Sequence, residues 1–462
     1  MLGKYSRLNT AIARQYIQDK GQHLRRKFSS QPQHQYKSYN YKENPIIFNR
    51  INEQYVIKGK ERVVGWWLIS LSASVFSIVI LGGYTRLSKS GLSMVKWHPH
   101  KVGLPKNNEE WEQEFEEYKQ FPEYYLFNKE RGLDIDGFKR IYFVEWAHRI
   151  VARSIGALFI LPFSYFLMRG YLQPKLKKSL FALLAFGSLQ GVIGWWMVKS
   201  GLVDKNKTIE LDKTPRVSPY RLTVHGYSAY IIYGVGVWLA MNLLRRPQEA
   251  VINLANMADH ASMRKLLLRS AHGILPLILL YGFFTSGIQG RYAVNNYPFV
   301  GQNWFLTRNH FQGDIPFWQN FTENKIVVQV IHRTLGTLFA LLALKGGYEV
   351  YKMKNLTPIA RKAYWLILAA ITLQICIGIG AIWYPSEIWI PNLHQAGALT
   401  VLTSVLFACH TCRKVDPRHM RNLLGKLKID DPQAYERMMK GFNKKQLSKT
   451  EMDAMKKFYE GK

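Results

Sequence analysis

Eight long apolar windows constrain the fold of this chain more than any other feature of its 462 residues. A helix of about 20 apolar residues spans the hydrocarbon core of a bilayer, and windows of this length separated by charged connections are typical of multi-span membrane proteins. The sequence therefore predicts an all-α membrane protein with eight transmembrane helices. The windows lie near residues 63–84, 143–168, 178–197, 222–244, 268–290, 326–346, 364–384 and 392–410.

The net charge of +32 is distributed in a way that indicates membrane topology and not nucleic-acid binding. Lys and Arg concentrate before residue 63, in the connections after the second, fourth and sixth windows, and in the C-terminal tail. The connections after the odd windows are mixed, and the first contains the acidic run NNEEWEQEFEEY. Because positive charge is retained on the inner side of a membrane, we expect both termini and the even connections on one basic side. Membrane lipid is then the expected partner, with no nucleic acid.

Residues 1–28 have the composition of a mitochondrial transit peptide, with Lys and Arg interspersed among Ser, Leu and Ile. The alternative is a disordered basic tail on a bacterial protein. The run RRKF before Ser29 is a candidate processing point, after which residues 29–62 would form a matrix segment. This predicts a multi-pass protein of the mitochondrial inner membrane with both termini in the matrix and the odd connections in the intermembrane space.

The second half of the chain repeats the first. HRIVARSIGALF from His148 matches HRTLGTLFALLA from His332, and LQGVIG (189–194) matches LQICIG (373–378) at the same separation of 184 residues. Each repeat contains four windows, so the repeats run in the same sense and should be related by a pseudo-two-fold axis along the membrane normal. The prediction is two tandem four-helix bundles. We place them at 63–244 and 268–410, with a matrix linker at 245–267 and a basic matrix tail at 411–462.

Four histidines lie near the outer ends of the even windows, at one predicted depth and two in each repeat: His148, His225, His332 and His394. Two imidazoles on neighbouring helices are the ligand set for a haem iron. A lone buried histidine is more often an ordinary core residue, but four at one depth favour haem. A zinc or copper site is less favoured because no acid or thiol joins either pair. Cys376, Cys409 and Cys412 lie in no outer connection and predict no disulfide framework.

The charged residues near these histidines differ between the repeats. Arg149 and Arg333 each follow a histidine, and Arg86 ends the first window; all three are candidate contacts for haem propionates or for lipid headgroups. Glu145 precedes His148 by three residues, whereas Gln329 takes that place before His332. A carboxylate beside one haem only suggests that the first site carries out chemistry. The alternatives are a helix N-terminal acid or an i, i+4 partner of Arg149.

Several motifs together resemble the haem A synthase family in its mitochondrial form: GGYTRLSKSGLSMVKWHP, EWAHRIVARSIG, LQGVIGWWMVKSGL, VHGYSAY, GRYAVNNYPFVGQNW, VIHRTLGTLF and PNLHQAGAL. The resemblance covers residues 63–412. It implies a membrane oxidoreductase that oxidises a ring methyl of haem O to a formyl group, giving haem A for cytochrome c oxidase assembly. It also implies a matrix ferredoxin as reductant and haem O synthase as the source of substrate.

The resemblance also implies roles for individual residues. His148 and His225 would flank the substrate haem O, Glu145 would be the catalytic carboxylate, and His332 and His394 would ligate a b-type haem as cofactor. Many bacterial relatives carry a cysteine pair in the first outer loop, whereas this chain has the long acidic segment 107–142 there. Without the resemblance, a dihaem electron-transfer protein and a haem carrier remain alternatives. The oxygen donor and the existence of a homo-oligomer stay open.

Overall fold

The computed structural model describes residues 55–97, 103–202, 217–245 and 254–413, with 429 and 432 as isolated residues. Eight helices in these ranges are long and apolar enough to cross a membrane, which confirms the prediction of eight spans. They are Glu61–Leu87, Ile135–Met168, Pro174–Lys199, Pro219–Leu244, Asp259–Gly287, Lys325–Lys352, Pro358–Trp383 and Trp389–Thr411. The predicted transit peptide, its processing point and nearly all of the basic tail lie outside the described residues.

Local sequence chemistry fixes where several spans begin. The third, fourth and seventh spans start with Pro174, Pro219 and Pro358, which lack an N–H and are preset for the first helical turn. The second span begins after Asp134, whose side chain accepts a hydrogen bond from the backbone N–H of Gly137. The sixth begins after Asn324, whose side chain accepts from two backbone N–H groups.

The fifth span consists of two helical segments, Leu254–His272 and Ile274–Gly287, which meet at Gly273. The helix therefore begins within the segment 245–267 that the sequence assigned to a linker. Met263 and Leu267 explain the difference, because both are buried in the apolar core of the second half. His272 lies at the junction of the two segments.

The first outer connection folds into a small structure above the first half. Helix Asn108–Lys119 places its glutamates mostly toward solvent and buries Phe115 and Tyr118. These two rings pack on Phe138 at the start of the second span, which begins at Ile135 and thus extends beyond its apolar window. The acidic run is therefore the exposed face of an amphipathic helix.

The packing of the spans follows the internal repeat. Consecutive spans pack within each half, and the fourth span also packs extensively on the first. Between the halves, the fourth span contacts the fifth, the eighth contacts the first, and the fourth and eighth contact each other. These contacts are compatible with two bundles related by a two-fold axis. The described residues nevertheless form one compact unit, with Val79, Tyr230, Tyr233 and Leu399 in the core shared by the halves.

Candidate functional site

Each of the four predicted histidines packs against a glycine of the preceding span. A Cβ atom on that glycine would lie only 2.8 to 3.3 Å from the nearest imidazole atom, so each ring rests directly on the backbone of the neighbouring helix. A side chain at these positions would displace the imidazole. The pairs are Gly82 with His148, Gly194 with His225, Gly282 with His332, and Gly378 with His394.

The second half brings its two histidine rings close together. The ring centres of His332 and His394 are 6.2 Å apart, and the ring planes are perpendicular, at 87°. A metal–imidazole bond of about 2.0 Å and a nitrogen-to-centre distance of about 1.1 Å on each side give about 6.2 Å between ring centres. The spacing of these rings therefore fits two axial imidazoles on one iron.

Three of the four histidines have an Nδ1 atom without a hydrogen-bond partner in the described part of the chain, whereas His394 Nε2 lies 3.4 Å from Gln374 Nε2. The Nδ1 atoms of His225, His332 and His394 are buried there without a hydrogen bond. The backbone carbonyls of Ile278 and Gln374 approach the rings of His332 and His394 respectively, without reaching full hydrogen-bond geometry. These carbonyls are the acceptors that would orient the rings if the other nitrogen of each bound a metal.

The first half holds its histidines in the same way. His148 packs on Gly82 of the first span, and His225 packs on Gly194 of the third. Gln190 Nε2, on the third span, donates to Ser228 Oγ at 2.7 Å, one turn after His225. Its repeat equivalent, Gln374, donates to the backbone oxygen of His394 at 2.9 Å. The L-Q-x-x-I-G motif thus supplies a glutamine that forms a hydrogen bond to the next span and a glycine that packs against the histidine of that span.

Glu145 is buried, and its carboxyl group accepts hydrogen bonds from three donors. Its Oε2 accepts hydrogen bonds from Ser93 Oγ at 2.8 Å and from the backbone N–H of Met94 at 2.7 Å, and its Oε1 accepts from Arg149 Nη2 at 2.5 Å. Only 3 % of the residue is exposed. Three donors therefore fix the position of the Glu145 carboxyl group one helical turn from His148. The i, i+4 pairing with Arg149 that we considered as an alternative is present, and it does not exclude a chemical role.

Gln329 occupies the equivalent position in the second half. Its Nε2 donates to the backbone oxygen of Val294 at 3.0 Å. Its Oε1 is buried and has no hydrogen-bond partner among the described residues. Both side chains fasten the outer connection to the even span, but only Glu145 brings a negative charge.

The three candidate propionate arginines are engaged with the protein. Arg149 donates to the backbone oxygens of Met94 and Lys96 as well as to Glu145. Arg86 donates to the hydroxyl and the backbone oxygen of Ser286. Arg149 thus joins the second span to the connection that precedes it, and Arg86 joins the first span to the fifth.

Arg333 retains one buried nitrogen without a protein partner. Its Nη2 donates to the backbone oxygens of Pro298 and Phe299, whereas its Nη1 has no hydrogen bond within the described ranges. A buried guanidinium nitrogen calls for an acceptor. Among the three arginines, Arg333 therefore gives the clearest support for a propionate contact.

A second buried carboxyl group lies in the outer connection. Tyr118 donates its hydroxyl to Glu123 Oε2 at 3.2 Å, and Asn128 Nδ2 donates to the Tyr118 hydroxyl at 2.6 Å. Burial, and then repulsion by Glu145, raises the pKa of Glu123 to about 8, although the Tyr118 hydrogen bond and Lys89 oppose the rise. Glu123 is therefore mostly protonated at neutral pH.

We expect the outer connection to lose stability as the pH rises from about 4.5 to about 8. In that window the folded state retains a proton on Glu123 that the unfolded state has released. The free energy of unfolding therefore falls by up to about 1.4 kcal/mol for each pH unit. The fall ends above the pKa of Glu123 in the folded state. Proteolysis of purified protein within 103–134 should therefore accelerate over this window. Glu123→Gln should remove the part of the pH dependence that comes from Glu123. The same pH dependence of proteolysis in the variant and the wild type would contradict the role of Glu123.

The sequence interpretation identified the four histidines but missed the glycines that receive them. Gly194 and Gly378 close the repeated L-Q-x-x-I-G motif, so the repeat itself carried a signal for them. Gly82 and Gly282 lie in GGYTR and GFFTS, which do not share the 184-residue separation of the two repeated motifs. Cys409 and Cys412 are free thiols at the end of the eighth span. Within the described residues, no group of three or more His, Cys, Asp or Glu side chains is arranged to hold a metal ion.

Fold and site together define a multi-span helical membrane protein with paired, glycine-backed histidines in both halves. Residues 65–406 match the family model described as cytochrome oxidase assembly protein, and the chain belongs to this family. It is 38 % identical over 363 residues to "Heme A synthase COX15" of Arabidopsis thaliana, covering 79 % of this chain and 77 % of that protein.

Two further relatives have the same name. The chain is 37 % identical to "Heme A synthase COX15" of Saccharomyces cerevisiae, covering 78 % of this chain and 77 % of that protein. It is 35 % identical to "Heme A synthase COX15" of Homo sapiens, with coverage of 78 % and 84 %. The similarity thus extends over most of the chain and over most of each relative.

Proposed function

We propose that this protein is a haem A synthase of mitochondria, which oxidises a ring methyl of haem O to a formyl group for cytochrome c oxidase assembly. The observation that carries the proposal is the asymmetry between two similar sites. Both halves hold a pair of glycine-backed histidines, but among the residues that the structure describes a buried carboxyl group accompanies only the first pair. The family and the names of the relatives support the same reaction.

In this proposal the second half holds the cofactor, a b-type haem. His332 and His394 would hold its iron, and the 6.2 Å between their ring centres supports this pairing. Arg333 Nη1 is the donor available for a propionate. When bound, the haem supplies one-electron redox chemistry at its iron.

The first half receives the substrate. His148 and His225 would hold haem O between the second and fourth spans. Hydrogen bonds from Ser93, Met94 and Arg149 would hold the Glu145 carboxyl group in a fixed position beside the substrate. A preorganised carboxylate of this kind stabilises positive charge that develops during oxidation and accepts a proton from the substrate. It makes Glu145 the catalytic residue of the proposal.

The charge alternation supports an orientation in the inner membrane with both termini in the matrix. Protease added to mitoplasts should then spare a C-terminal tag until the inner membrane is opened. Loss of the tag from intact mitoplasts would reverse the orientation. The same proposal includes reduction by a matrix ferredoxin and delivery of haem O by haem O synthase, and it leaves a homo-oligomer open.

Pigment extraction from purified protein, with mass analysis of each haem, tests the function directly. A haem A synthase should yield haem b together with haem O and its oxidised products. An electron-transfer protein should yield the same unmodified haem from both sites, and a carrier should yield haem O without oxidation. Either of the last two results would contradict the proposal.

A further inference from the structure

The first and fifth spans contain corresponding segments, 82–86 and 282–286, that lie at the boundary between the halves. Gly82 and Gly282 each receive the histidine of the next span. Arg86 donates to Ser286, the residue at its own equivalent position. The two segments therefore approach each other around the pseudo-two-fold axis. The residue after each glycine, Gly83 or Phe283, faces the other half.

The first crossing between the halves joins Gly83 to the eighth span. A Cβ atom on Gly83 would lie 2.1 Å from Gln395 Oε1 and 2.7 Å from Asn392 Oδ1. Gln395 Nε2 donates to the backbone oxygen of Val79 at 3.3 Å. Gln395 follows His394 directly, and Gly83 follows the glycine that receives His148. This contact therefore connects a histidine of the second site to the support of a histidine of the first.

The second crossing joins the fourth and fifth spans. Here the glycine lies beside a site histidine, and the large side chain follows the glycine that supports another histidine. A Cβ atom on Gly226 would lie 2.2 Å from Phe283 Cε1 and 2.6 Å from Phe283 Cδ1. Gly226 follows His225, and Phe283 follows the glycine that receives His332. In the first crossing the small residue is on the first span, whereas here it is on the fourth. Both crossings thus pair a glycine of the first half with a large side chain of the second.

Tyr230 connects the two crossings. Its ring packs edge-on against Phe283, with 5.1 Å between centres, and its hydroxyl donates to the backbone oxygen of Gln395 at 3.1 Å. The equivalent residue of the eighth span is Leu399, which is fully buried and apolar. The large side chains that the second half places against the first are therefore held in one connected unit.

We propose that the Gly83–Gln395 and Gly226–Phe283 contacts couple the two histidine sites, so that occupancy of the second site positions the histidines of the first. The inference rests on the proposed function, because it assumes a haem at each site. Binding between His332 and His394 fixes the sixth and eighth spans and, through Gly282, the fifth. The fifth and eighth spans carry Phe283 and Gln395, which contact the helices of the first site without an intervening side chain.

The coupling must act in both directions, because linkage between two binding sites is reciprocal. A change at Gly226, in the first half, should therefore alter haem binding in the second half. Phe283 is a rigid ring and cannot move away from a new methyl group as a flexible side chain could. Gln395 is flexible at its end, so a methyl group on Gly83 should be accommodated at lower cost.

The test uses full-length protein purified from cells without haem O, so that only resident haem is bound. Gly226→Ala should weaken retention of that haem by about fivefold or more and change its low-spin spectrum. Gly226→Ala/Phe283→Val should restore both, since valine lacks the ring atoms that the new methyl group would meet. Gly191→Ala is the matched control, because nothing lies within 4 Å of a Cβ atom there.

Three results would overturn the coupling: wild-type haem retention and spectrum in Gly226→Ala, an equal loss in Gly191→Ala, or no recovery in the double variant. The last would show that Gly226→Ala acts by general misfolding. Failure of the proposed function is distinguishable, since wild-type protein supplied with haem O would then form neither haem A nor its hydroxymethyl intermediate, whatever Gly226→Ala does to the retention of resident haem. Gly83→Ala adds a graded comparison: an effect larger than that of Gly226→Ala would also contradict the proposed route through Phe283.

Discussion

Replacing His332 or His394 with alanine is expected to abolish the spectrum of the resident b-type haem while the chain still inserts into the membrane. Each variant removes one of two imidazoles whose centres are 6.2 Å apart, and the remaining ring cannot supply both axial ligands. The measurement is the reduced-minus-oxidised spectrum of purified protein, together with haem content per chain.

The matched control for these variants is His260→Ala. His260 is also buried, but its Nε2 contacts Thr357 Oγ1 at 2.9 Å on the inner side of the second half. Its loss should cost stability without changing the haem spectrum. An unchanged spectrum in both His332→Ala and His394→Ala would refute the ligand assignment.

Glu145→Gln is expected to lower haem A formation by at least about 100-fold, equivalent to about 2.7 kcal/mol of barrier. Glutamine is similar in size and still offers an oxygen to Ser93 and Met94, but it removes the charge that faces Arg149. Both haems should remain bound, so the loss should appear in turnover and not in occupancy. Haem O, its hydroxymethyl intermediate and haem A should be quantified in one extract.

The structure makes the alternative role of Glu145 equally testable. The alternative is that the carboxylate only holds residues 93–96 against the second span, directly and through Arg149. Glu145→Gln should then weaken this packing and leave the rate per bound haem O unchanged. A wild-type rate would therefore refute the catalytic role, although the assignment of His148 could stand. Gln329→Glu should not create activity in the second half, because the proposal assigns that site to the cofactor and not to the substrate.

The number of spans could be predicted from the sequence because it depends on local properties, and the sequence also singled out the four histidines that the structure packs against glycines. A segment in lipid must satisfy its backbone internally and present apolar side chains, so each span leaves a recognisable window. The duplication then placed His148 and His332 in register. Fine boundaries were less predictable: the second span extends outward to Ile135 because Phe138 packs on the helix Asn108–Lys119.

Only the tertiary structure decided which groups surround these histidines. Glu145 obtains two of its donors from Ser93 and Met94, about fifty residues earlier in the chain. Gly83 meets Gln395, and Gly226 meets Phe283, across the boundary between the halves. A glycine that receives a ring and a glycine in an ordinary helix are identical in sequence. The physical difference is the distance to a neighbouring helix, which depends on how all eight spans pack together and not on any local pattern.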